Sequence, residues 1–89
     1  MDDIVVALIR RAHGLDGEVL VELMTGDPDQ VFVADRRFGV SGADGRGPGT
    51  LTLTDARKHK GGLLLRFREV SDRTAAERLQ GRDLTLRPG

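Results

Sequence analysis

Two histidines, His13 and His59, each stand next to a tight glycine connection, in His13-Gly14 and in His59-Lys60-Gly61. An imidazole changes charge near neutral pH and can serve as metal ligand, general base or hydrogen-bond donor. A zinc-type centre needs a third and fourth ligand, yet the 89 residues include no cysteine, and carboxylates such as Asp16 and Asp55 stand at no recognisable ligand spacing. No metal and no cofactor are expected. Nucleophilic catalysis has no better support: Ser41 opens a glycine-rich stretch, Ser71 precedes a helix cap, and neither lies in a nucleophile elbow. The chain reads as a non-enzyme. Cations are the remaining chemistry. Arg57, Lys58, Lys60, Arg66 and Arg68 fall within twelve residues that include no acid, so one hairpin could lay several positive charges along a polyanion. Arg10-Arg11 and Arg36-Arg37 could widen such a patch. The histidines either join it, with both tips at one end of a barrel, or hydrogen-bond to backbone and hold their turns.

The elements that would position these residues are mostly strands. A first strand from about Asp3 to Arg11 carries apolar residues on both parities, which suggests cover on both faces. Gly14 and Gly17 bracket a turn into a second strand, Gly17 to about Met24, whose Glu18, Leu20 and Glu22 share one face. Those glutamates are expected to pair with arginines of a neighbouring strand such as Arg66 or Arg68. Thr25 to Asp29 reads as a turn, and a short strand is expected within Gln30 to Val40, with Val31 or Phe32 and Phe38 reaching the core. Ser41 to Gly49 is a glycine-rich surface loop. Thr50 to Thr54 alternates strictly, leucines inward and threonines to solvent, then leads through a basic turn, Asp55 to Gly62, into Leu63-Leu64-Leu65-Arg66-Phe67. One short helix follows, capped by Asp72 or started at Thr74 with Glu77, and ended by Gly81. Its stripe of Ala75, Ala76 and Leu79 is narrow, so it must lean on something larger, for instance by plugging a barrel end. Asp83 to Leu86 is the last strand.

Composition narrows the class further. One domain of this length buries a single modest core, and three Phe with no Trp or Tyr leave that core to Val, Leu and Ile. The scarcity of aromatics also argues against base stacking on a sheet face. Absence of cysteine fits a reducing compartment, and neither a membrane-spanning stretch nor a basic signal-peptide start is seen, so a cytoplasmic soluble domain is expected. The net charge of zero conceals a division: residues 1–35 hold eight acids and two bases, residues 36–89 twelve bases and six acids. If the halves interleave in one barrel, much of that difference becomes internal pairing; otherwise one surface is left to meet a polyanion.

Three separated stretches resemble one family. His13-Gly14-Leu15-Asp16-Gly17-Glu18-Val19 with Val21, His59-Lys60-Gly61 with Leu64, Phe67 and Val70, and Asp72-Arg73-Thr74-Ala75-Ala76-Glu77 with Leu79 and Gly81 are similar to the N-terminal domain of the RimM ribosome-maturation factors. The resemblance runs from Ile4 to Leu86 and implies an all-β fold, a six-stranded antiparallel β-barrel of the translation-protein type with one short helix near the C-terminus. It also implies that residues 1–86 form that barrel, that 87–89 begin an interdomain linker, and that a C-terminal PRC-barrel domain is absent. The implied role is non-catalytic: binding the immature 30S subunit at its head and assisting 16S rRNA processing and assembly, as a monomer away from membranes. Partners would be the 30S subunit, 16S rRNA and, mainly through the missing domain, a ribosomal protein of the head. The candidate contact residues are His13, Gly14, Arg57, Lys58, His59, Lys60, Gly61, Arg10 and Arg11. A different role is a protein-interaction barrel that scaffolds the missing domain without touching RNA.

Overall fold

The computed structural model describes residues 4–41 and 49–86; the expectations for the glycine-rich loop, apart from its ends, and for the terminal linker lie outside the described residues. In chain order the elements are β1 (Ile4–His13), β2 (Glu18–Leu23), α1 (Pro28–Val31), β3 (Arg37–Ser41), β4 (Thr50–His59), β5 (Gly62–Phe67), α2 (Arg73–Glu77) and β6 (Asp83–Leu86). The six strands pair antiparallel and close into a barrel in the order β1-β2-β5-β4-β3-β6. Closure gives each of the six strands a partner on both sides over part of its length. This is the expected fold.

Alternation fills the barrel. Val19 and Val21 of β2, Leu51 and Leu53 of β4, Leu65 and Phe67 of β5 and Leu84 of β6 are all buried, and Phe38 of β3 stacks on Phe32 with centroids 5.4 Å apart. Strand β1 departs from simple alternation because it is bulged twice. Its register slips against β6 between Val5 and Ala7, and against β2 between Ile9 and Arg11. Val6, Ala7, Ile9 and Ala12 are consequently buried while Ile4 and Val5 are exposed. The mixed parity in its sequence therefore comes from bulges, not from cover on both faces.

Helix α2 closes one end against β1 and β2. The Asp72 carboxylate accepts from the Ala75 N–H at 2.8 Å and caps it, while Ala76 and Leu79 enter the core. Gly81, at φ +85°, turns the chain back, and its N–H donates to the Ile9 carbonyl beside the β1 bulge. The β1–β2 turn is docked on the same helix. Arg73 donates to the Gly14 carbonyl at 3.0 Å, and a Cβ on Gly17 would stand 2.5 Å from the Val70 carbonyl oxygen.

Several local expectations are corrected. The short strand expected within Gln30 to Val40 is present as β3 but starts only at Arg37, because the residues before it form α1: Pro28 stands at its first turn, where its missing N–H costs nothing, and Arg36 closes the helix by donating to the Gln30 and Val31 carbonyls. Phe32 and Phe38 both reach the core, while Val31 is half-buried. Strand β4 does not end at Thr54 but runs to His59, and the turn shrinks to Lys60 and Gly61, both at positive φ. Two such residues make the tight mirror-type turn that follows the natural twist of a hairpin. Thr52 is not solvent-facing either. It is buried, and its N–H and hydroxyl both donate to the Glu69 carboxylate, at 2.7 and 2.8 Å.

Candidate functional site

The bulges decide which side chains leave the barrel. In β1 the inward series Ala7, Ile9 would continue to Arg11; the extra residue, Arg10, shifts it, so that Ala12 is buried and Arg11 and His13 face outward. Strand β4 repeats the device. Its register slips between Leu53 and Asp55, after which Ala56 opposes the core residue Leu65, and Arg57 opposes Leu64. Arg57 and His59 are thereby turned outward.

These outward residues converge. His13 and His59 lie on strands separated by β2 and β5, yet their rings meet edge to face, with centroids 4.9 Å apart and planes at 61°. The row Arg11, Leu20, Leu64, Arg57 crosses the four strands on the same face, with Leu64 buried although it lies outside the main core cluster. Arg57 spans the same ground. Its Nε and one terminal nitrogen each donate to Glu18, both at 3.1 Å, a fork-to-carboxylate bond from β4 to β2 across β5. That bond holds Glu18 below the ordinary carboxylate range against a smaller opposing effect of burial, with the charges of Arg57, Arg66 and His13 adding to it. Partial burial lowers the pKa of His59, and the positive charges of His13, Lys60, Arg57 and Arg11 lower it further. The site is an imidazole pair within a ring of cations.

Not every candidate cation is available there. Arg10 is held by Glu22 at 3.0 Å, Arg66 by Asp16 at 3.6 Å and Arg68 by Asp35 at 3.2 Å, so the glutamates pair with Arg57 and Arg10 and not with Arg66 or Arg68. Lys58 is turned away from the histidines. It lines a depression of about 190 Å³ with Leu23, Pro28, Asp29 and Leu63. Gly14 and Gly61 serve backbone geometry, the first also as acceptor for Arg73. Arg11 and Lys60 are the exposed cations near His59 that make no ion pair among the described residues. The described residues contain no group of three His, Cys, Asp or Glu suited to a metal. None of their helices is long and apolar enough to cross a membrane. Sequence reasoning missed the role of Glu18 as partner of Arg57, because β5 separates the two strands and no local spacing joins residues 18 and 57.

The model of the RimM N-terminal domain matches residues 4–88. The chain belongs to that family. A ribosome maturation factor RimM of Thermobifida fusca is 49% identical over 78 residues, covering 88% of this chain and 44% of that protein. A RimM of Frankia casuarinae is 46% identical over 85 residues, covering 96% of this chain and 45% of its own length. The chain thus spans less than half of the curated RimM proteins it matches. In structure it is similar to a 16S ribosomal RNA processing protein RimM from Pseudomonas aeruginosa, with a TM-score of 0.81 at 24% identity, covering 97% of this chain and 51% of that one. At that identity the likeness concerns the fold. Within the RimM motifs, the geometry separates two duties: Gly14, Gly17, Asp72 and Arg73 lock the first turn to α2, whereas the histidines face outward.

Proposed function

We propose that this chain is a non-catalytic ribosome-maturation module that binds the immature 30S subunit at its head and assists 16S rRNA processing, in the cytoplasm. Family membership supports the ribosomal role. The observation that carries the RNA contact is the outward face formed by His13 and His59, with Arg11 and Lys60 beside them free of acidic partners among the described residues. Such a face suits phosphate oxygens, and with no exposed aromatic platform it would recognise backbone shape, not base identity. We assign contact with a ribosomal protein of the head to the PRC-type second domain that the family resemblance implies. The test is binding to precursor 30S subunits over a salt series, comparing the chain with an R11A/K60A variant. The variant is expected to bind about tenfold more weakly, with a shallower salt dependence. Equal affinity and equal slope would reject this face as the contact.

A second reading has an observation of its own. Ile4 and Met24 are about half exposed, Val5 somewhat less, and Ile4 pairs with Leu86 of β6, so an apolar area lies near the last strand. A barrel that only scaffolds another protein surface would use that area, and its association would be insensitive to salt.

A further inference from the structure

The histidine pair does more in this arrangement than add two hydrogen-bond donors to a basic face. The rings touch, and both residues are half-buried. The charges that act on His59 are cationic: Arg11 and His13 from β1, Arg57 from its own strand, and Lys60 from the turn. Strand β2 supplies two acids, Glu18, committed to Arg57 through two hydrogen bonds, and Glu22, paired with Arg10. Strand β5 contributes apolar Leu64 to the intervening row, while its Arg66 is paired with Asp16. Asp55, further back along β4, acts on Arg57. The unliganded His59 ring therefore resists taking up a proton.

A phosphate reverses that balance. Its negative charge lies close to the imidazoles and favours their charged form, and any group whose proton affinity rises on binding makes binding proton-linked. We infer that the His13–His59 pair is a proton-linked phosphate seat: an RNA phosphate docking against the rings, with Arg11 and Lys60 beside it, draws a proton onto the pair, and affinity rises as pH falls. This rests on the RNA-binding reading above. No covalent step is involved; one proton moves from solvent to an imidazole nitrogen, and the imidazolium then donates to a phosphate oxygen.

The coupling is confined to a window. Well above neutrality no proton is taken up on binding and the affinity is constant. As pH falls through the bound-state pKa, the complex holds a proton that the free chain lacks, and affinity climbs by at most about tenfold per pH unit for each proton taken up. Once pH drops below the free-state pKa of His59, itself under 6.5, the free chain is protonated too and the gain levels off.

The test uses the 89-residue chain and an oligouridylate of about a dozen nucleotides, whose diesters and bases do not titrate near neutrality. Affinity is followed by fluorescence anisotropy at constant salt from about pH 8 to about pH 5.5, and the ring protons of both histidines by NMR with and without RNA. The expected result is a severalfold gain in affinity on acidification and an upward shift of the His59 midpoint at saturating RNA. H59Q, whatever its affinity at pH 8, should lose most of the gain when its affinities are referred to its own value at pH 8, with H13Q as the parallel variant. Normal affinity that is flat with pH, an unmoved His59 midpoint, or a pH dependence that survives in both variants would overturn the coupling and leave the RNA face standing. No binding at any pH would overturn both.

Discussion

At the residue scale, the two glycines of the first turn carry different loads. Gly14 and Gly17 both adopt positive φ, at +72° and +96°, and look equivalent in sequence. They differ in surroundings: a Cβ at Gly14 would meet nothing within 4 Å, whereas one at Gly17 would press on the Val70 carbonyl oxygen at 2.5 Å and the Asp72 amide at 3.1 Å. Backbone cannot swing aside as a flexible side chain can. Gly14→Ala is therefore expected to cost only the left-handed penalty, about 1–2 kcal/mol, while Gly17→Ala adds displacement of the 70–72 segment and should cost appreciably more. Urea unfolding of the two variants tests this; equal losses would show that the turn is not docked as described. The residue types at the site were legible in the sequence, since histidine beside glycine signals a chemical group at a turn. Which cations stay unpaired was not, because Arg57, Arg66 and Arg68 find their acids on other strands or loops, 39, 50 and 33 positions away in sequence.

At the scale of elements, periodicity revealed strands wherever the side chains alternate without interruption, as in β2 and β6. It failed at the bulges. One extra residue in β4 turns Arg57 and His59 outward, and in the sequence that break in the pattern reads as the end of a strand followed by a long basic turn. A bulge is chosen by pairing with a neighbour, so no local signal marks it. Helix α2 shows the opposite case. Its cap and terminal glycine are local signals and were readable, yet its five residues are too few to be stable alone, and burial of Ala76 and Leu79 must hold it. Leu79→Ala is expected to destabilise the chain by about 2–5 kcal/mol, since it opens a cavity at 1% exposure. The same variant should raise amide exchange at Gly17 and Glu18, because the first turn rests on the segment that α2 holds. Fast exchange confined to the helix would instead mean that turn and helix are uncoupled.

At the scale of the whole molecule, the acidic first part and basic second part are interleaved by the barrel's order. Asp16, Glu18 and Asp35 bond to Arg66, Arg57 and Arg68 in turn, so the uneven sequence becomes cross-barrel pairing. Exposed pairs such as Asp35–Arg68 contribute little individually. The carboxylates whose proton affinity departs from normal are better placed: Glu18 bridges β2 to β4, and Glu69 ties the chain after β5 to Thr52 of β4. For Glu69, burial opposes ionisation, but the Thr52 N–H and hydroxyl, its own backbone N–H and the charge of Arg68 together outweigh it and the pKa is lowered, as it is for Glu18 through Arg57. A carboxylate with a depressed pKa lends its stabilisation fully above the unfolded value, here 4.5, and loses it as pH falls toward the folded value. His59 acts at higher pH with the same sense. Its pKa is lowered from 6.5 on folding, so below 6.5 the unfolded chain binds a proton first and stability declines until the folded imidazole is also protonated. Acidification should therefore lower the melting temperature in two stages, a shallow one beginning near pH 6.5 and a steeper one below pH 4.5. H59Q should flatten the first stage alone, and E69Q should flatten part of the second at the cost of a lower plateau near neutrality. A profile in which H59Q leaves the upper stage intact would mean that the imidazole pair is not embedded among cations. The proton-linked seat for phosphate would then lose its structural basis.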